Sequence, residues 1–120
     1  MSYDIRLVDA ETRETLLVNH HTEGGTIATG GTNDAEMSIT YNYAEVYHLV
    51  NDENGEEFSI WNMNNKAAAE TIATLQSAVD ILGTSKYRDY WAPTPGNAGH
   101  AASVLLAWAK RHPNGIWEVQ

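Results

Sequence analysis

The hydrophobic period of this chain changes once, and that change constrains the fold more than any other feature. From Ala35 to Tyr43 the side chains alternate, with Met37, Ile39, Tyr41 and Tyr43 on one face and Glu36, Ser38, Thr40 and Asn42 on the other. A period of two belongs to a half-buried strand. From Ala68 onward the apolar residues Ala68, Ile72, Leu75, Val79 and Leu82 recur at helical spacing. Strand pattern first and helix pattern second points to an α+β domain with a sheet and a covering helical layer.

The first half divides into short strands. Tyr3, Ile5 and Leu7 alternate with Asp4 and Arg6, and the polar run Asp9–Glu14 reads as a turn. Residues 15–20 read as a second strand with Leu16, Val18 and His20 on one face, and 26–29 as a short third. Gly24-Gly25 and Gly30-Gly31 break the chain on either side of that third strand. Residues 44–50 fit either a strand or a short helix, Asn51–Gly55 is a turn, and Glu57–Met63 reads as one more strand through Phe58 and Ile60. Successive strands joined by short turns predict an antiparallel meander of four to six strands, covered by two α-helices on one face.

The helices carry their own punctuation. Asn64 or Asn65 can cap the first, and Gly83 stops it. Thr94-Pro95 combines an N-cap with proline at the first helical position, Lys110 and Arg111 fall in the last turn, and His112-Pro113-Asn114-Gly115 ends the helix. Its buried stripe is Ala98, Ala101, Ala102, Leu105, Trp108 and Ala109, and Ile116–Val119 is a last edge strand. The chain has 120 residues, which suits a single domain over 1–120, and 42% of them are hydrophobic, enough for a real core.

Charge and composition exclude several functions. There are no cysteines, so disulfides, thiolate metal sites and thiol nucleophiles are ruled out. The net charge is −9, with twelve acids and two bases in residues 1–65 against four acids and five bases in 66–120. That balance disfavours direct binding to nucleic acid, which depends on basic patches releasing counterions. No signal-peptide pattern opens the chain, and no apolar run approaches the roughly 18 residues that span a bilayer. The expected setting is cytoplasmic, with no membrane partner.

Four groups of residues invite chemistry. His20-His21 could supply a general acid/base or a ligand donor, although neighbours on a strand point to opposite faces. No HExxH-like context surrounds them, so no metal is expected, and no cofactor. Gly25 and Thr32, at or beside the glycine pairs, could offer backbone N–H groups to a phosphate, or serve only tight turns. Asn42, at the end of Thr40-Tyr41-Asn42-Tyr43, can donate and accept at once, and could equally cap the following turn. Tyr90, Trp91, Thr94 and Asn97 surround a helix N-terminus, where donors and partial positive charge favour an anion and the rings offer a stacking wall. The alternative is that the rings plug the edge of the core.

With Tyr3–Asp9, His20-His21 and its GGT sequel, Thr40–Tyr43, and Asp89-Tyr90-Trp91 leading to Thr94 and Gly96-Asn97-Ala98, the chain resembles a group of small bacteriophage and prophage proteins. The resemblance covers nearly the whole length. It implies a phage origin and an infected bacterial host. It suggests a counter-defence role: sequestering a nucleotide-derived immune signal such as a cyclic oligonucleotide or a cyclic ADP-ribose-like ligand. One alternative is a metal-independent phosphodiesterase or lyase that degrades such a signal with His20 or His21. Another is an acidic inhibitor that blocks a host effector. The expected ligand site is His20, His21, Gly25, Thr32, Asn42, Tyr43, Tyr90, Trp91, Thr94 and Asn97. Four tryptophans and edge strands leave a homo-oligomer open.

Overall fold

The computed structural model of the protein describes residues 1–18, 26–28, 33–89 and 91–120. Its strands are β1 (Ser2–Val8), β2 (Thr26–Ala28), β3 (Glu36–Thr40) and β4 (Ile116–Val119). Its helices are α1 (Ala44–Tyr47), α2 (Ala68–Leu82) and α3 (Pro95–Arg111). The α+β class is therefore as the period change predicts. Three antiparallel strands, β3, β1 and β4, form the body of the sheet, and the three residues of β2 pair onto β3 at its edge.

The order β2-β3-β1-β4 is not the expected meander. Residues 15–18 do not form a full strand beside β1. They wedge in where β1 and β3 diverge, since Leu16 N–H donates to Leu7 O and Ala35 N–H donates to Leu16 O, both at 2.9 Å. Only isolated bridges result, Val8 to Thr15 and Leu17 to Asp34. The turn before them is held by Asp9, whose carboxylate accepts from the N–H of Glu11 (2.9 Å) and Thr12 (3.0 Å). These bonds, Thr12 first, keep that carboxyl below its usual range.

The alternating face of the sheet is buried. Tyr3, Ile5 and Leu7 of β1, Met37 and Ile39 of β3, and Trp117 and Val119 of β4 join one core with α2 and α3. The opposite face is polar. There Arg6 bridges Glu118, and Ser38 Oγ donates to Asp4 at 2.7 Å. The expected stripe of α3 is fully realised, while α2 also buries Thr71, Thr74 and Ala78 and leaves Ile72 and Val79 half-buried. Thr71 is buried because its hydroxyl accepts from the Trp117 indole N–H at 2.9 Å, tying α2 to β4.

Two further expectations change. Glu57–Met63 is not a strand: Glu57 makes one bridge to Asn51, and Ile60–Met63 winds into a 3-10 turn that buries Ile60 and Met63. Neither Asn64 nor Asn65 caps α2, whose N-cap is Ala67 without a side-chain bond. Asn64 instead accepts the Val119 N–H at 2.9 Å, and Asn65 N–H donates to Trp117 O at 2.8 Å. Those residues cover the free edge of β4, which would otherwise present unpaired backbone groups.

Candidate functional site

The segment leading into α3 is organised by its own polar groups. Thr94 Oγ1 accepts the Asn97 N–H at 3.2 Å, as the N-cap pattern predicts. Asn97 is fully buried, and its amide is engaged at both ends. Its Oδ1 accepts the Tyr87 N–H at 2.9 Å, while its Nδ2 donates to Asp89 O at 3.0 Å and Ala92 O at 3.1 Å. Backbone groups of Tyr87, Asp89 and Ala92 are thus gathered onto one side chain. Gly96 and Gly99 let α3 begin this close to its neighbours: a Cβ would lie 1.9 Å from Ser85 O at Gly96 and 1.7 Å from Gly83 O at Gly99.

This arrangement alters the expected anion site. Pro95 has no N–H, Asn97 N–H goes to Thr94 Oγ1, and Ala98 N–H goes to Thr94 O at 3.2 Å. The donors of the first turn are largely engaged inside the fold. What the loop does offer outward is side chains. Trp91 is 41% exposed and Tyr87 is 55% exposed, and Lys86 and Arg88 are exposed on either side of Tyr87.

The strand end meets this loop. Thr40 Oγ1 accepts the Asn42 N–H at 3.2 Å, which ends β3 and turns Tyr41–Tyr43 into a 3-10 turn. The alternation of the tyrosines therefore breaks: Tyr43 is buried, and Tyr41 is only half-buried. Asn42 is exposed, and its Nδ2 donates to Trp91 O at 2.8 Å. This single bond joins β3 to the entrance of α3 across 49 positions of sequence.

Beside Asn42 lies an aromatic cluster. Tyr41 sits edge-on to Tyr3 with ring centres 4.5 Å apart, Tyr3 is 5.0 Å from Trp61, and Tyr41 is 6.2 Å from Trp61. Trp61 is 46% exposed. Burial first, and then the neighbouring Tyr41, push the Tyr3 hydroxyl above its ordinary pKa, so it stays a neutral phenol. Tyr47, packed edge-on to Tyr43, is fully buried and donates to Ala98 O at 2.8 Å; burial raises its pKa well above the ordinary value.

Of the residues expected at the site, Asn42, Trp91 and Thr94 come together at the α3 entrance. Tyr43 and Asn97 lie beneath it with no exposed surface and can act only by positioning. His20, His21, Gly25, Thr32 and Tyr90 lie outside the described residues, as does the expected meeting of the histidines with Asn42. Tyr41, Trp61, Lys86 and Arg88 were not singled out by sequence reading. The signal for the two basic residues was the change of charge sign after residue 65. The signal for Tyr41 was Thr40, a capping residue one position before it.

Among the described residues, no group of three or more His, Asp or Glu could hold a metal ion. No described helix is long and apolar enough to cross a membrane. A separate groove of about 350 Å³ lies at the other end of β1, lined by Asp9, Leu16, His112 and Asn114 among others. His112 Nε2 lies 2.6 Å from Leu17 O there, which fixes the loop after α3 to the 15–18 segment. In comparisons with known proteins the chain matches no family model, no curated protein and no solved structure.

Proposed function

We propose that this protein binds a small nucleotide-derived immune signal at the α3 entrance and withholds it from its receptor, as a phage counter-defence protein acting in the cytoplasm of an infected bacterium. The observation that carries the reading is the 2.8 Å bond from Asn42 Nδ2 to Trp91 O. It ties the exposed Asn42 amide to the main chain of Trp91, whose indole is itself exposed, and the two residues carry the hydrogen-bonding edge and the stacking face that a nucleobase requires. Lys86 and Arg88, on the same loop as Trp91, supply positive charge in a protein of net charge −9. That placement favours a ligand whose ring lies on the indole and whose phosphates reach toward the basic loop, rather than a polyanionic strand.

The test is a panel. The protein is incubated with cyclic dinucleotides, cyclic trinucleotides and cyclic ADP-ribose isomers, and its melting temperature is followed. A ligand at a hundred times its Kd should raise Tm by about 10 °C for a domain of this size. Heating the complex should then release the ligand intact. A flat panel would remove the proposal. Release of a cleaved ligand would replace sequestration by an enzymatic reading, and His20→Ala and His21→Ala would then locate the acid/base.

A further inference from the structure

Asn42 is exposed, yet the direction of its amide is fixed. A bond to the Trp91 carbonyl can be donated only by the amide nitrogen, so Nδ2 faces that carbonyl and Oδ1 faces away from it. One Nδ2 hydrogen is engaged. Among the described residues, no other bond of this side chain is made, so Oδ1 and the second Nδ2 hydrogen remain as an adjacent acceptor and donor. The backbone behind the amide is also fixed, because Thr40 Oγ1 holds the Asn42 N–H at 3.2 Å. A side chain so constrained presents one polar edge of constant orientation beside the main chain of Trp91, whose ring is exposed.

Resting on the ring-binding reading above, we infer that Asn42 is the specificity-determining residue of the site and that it reads an adenine base. The exocyclic amino group of adenine would donate to Oδ1, and the ring nitrogen beside it would accept from the free Nδ2 hydrogen. This is the bidentate match by which asparagine recognises adenine. Adenine offers this donor–acceptor pair on both sides of its amino group, at N1 and at N7, so either edge satisfies the amide while the purine lies on the indole. The hydrogens of the exocyclic amine are indispensable to the match. Without them Oδ1 has no donor to meet.

The experiment edits the ligand first, which leaves the fold untouched. The full-length protein is titrated by calorimetry with adenosine 5′-monophosphate, purine riboside 5′-monophosphate, which lacks the amino group, N6,N6-dimethyladenosine 5′-monophosphate and guanosine 5′-monophosphate. Adenosine monophosphate is expected to bind about tenfold more tightly than either edited nucleotide, and more tightly than guanosine monophosphate. The series is repeated with Asn42→Ala. A purely structural Asn42 would lower every affinity by one factor and keep the ratios. A base-reading Asn42 would bring the adenosine-to-purine ratio to about one. Equal wild-type affinities, tighter guanosine binding, or a ratio that survives in Asn42→Ala overturns the inference while leaving ring binding intact. Binding of none of the four nucleotides overturns the inference; if the cyclic panel is flat as well, the ring-binding reading falls with it.

Discussion

Asn97 and Asn42 have the same side chain and opposite situations. Asn97 is enclosed, and its amide bonds backbone groups of Tyr87, Asp89 and Ala92. Replacing it by alanine leaves the Tyr87 N–H without its partner and takes one of two bonds from each of the Asp89 and Ala92 carbonyls, which keep the N–H groups of Ala92 and Thr94, so Asn97→Ala should cost about 2 kcal/mol. A fall in the urea midpoint checks this, and faster hydrogen exchange at Tyr87 N–H would place the damage in the loop. The sequence presents both residues as polar oddities beside aromatic rings, and it does not say which one faces inward. That choice is made by contacts between distant segments, so local spacing cannot reveal it. Asn42 was legible as a site residue because it is an amide on the polar face at the end of an alternating strand. Its partner, a main-chain oxygen 49 positions away, was not.

Glu53 makes a second prediction at this scale. Its carboxylate accepts from Lys66 Nζ at 3.0 Å and from Thr74 Oγ1 at 2.8 Å, tying the Asn51–Glu57 turn to α2. The Lys66 bond, followed by a backbone bond and the Thr74 hydroxyl, lowers its pKa below the ordinary 4.5. A carboxyl depressed in the folded state adds stability above its unfolded pKa and loses it as pH falls through the folded value. Because the pair is partly exposed, the contribution should be under about 1 kcal/mol. Glu53→Gln should therefore lower Tm slightly at pH 7 and leave it unchanged once the pH lies below both pKa values. An equal loss at both pH values would assign the effect to packing instead.

At the scale of elements, the punctuation of α3 was readable because every signal was local: Thr94 as cap, Pro95 at the first position, and Lys110 and Arg111 in the last turn. The Glu57–Met63 segment misled because Phe58 and Ile60 alternate as in a strand, and a 3-10 turn satisfies the same burial. Alternation reports which residues are buried, while a strand also needs a free partner edge. The edge of β4 is taken by the backbone and side chains of residues 64–66. The packing of α2 on α3 was also hidden, because it rests on an absent side chain. Gly83 turns at φ 74°, and its carbonyl lies where a Cβ on Gly99 would stand, 1.7 Å away. Gly99→Ala must push the two helices apart and should destabilise by about 3 kcal/mol, measurable as a lower denaturation midpoint. A midpoint within experimental error of wild type would contradict this account of the helix pair.

For the whole molecule, the change to a helical period from Ala68 onward reveals the class of fold but not the order of strands. The chain returns to β1 at its very end, placing β4 beside it by a contact no neighbouring residues announce. This closure puts the Tyr3–Tyr41–Trp61 cluster and the Asn42–Trp91 contact at one end of the sheet, away from the groove near His112. The proposed sequestering role and ligand class rest on residue chemistry at that end. The measurement that tests them most directly is a tryptophan-emission titration with the ligand that gives the largest thermal shift, in wild type and in Trp91→Phe and Trp61→Phe. Stacking at the α3 entrance should quench the wild-type emission, and Trp91→Phe should lose much of that quench and weaken binding about fivefold or more, in keeping with one lost stacking partner. Trp61→Phe should change the quench less. Undiminished quenching and affinity in Trp91→Phe would contradict a ring-binding site at the entrance of α3.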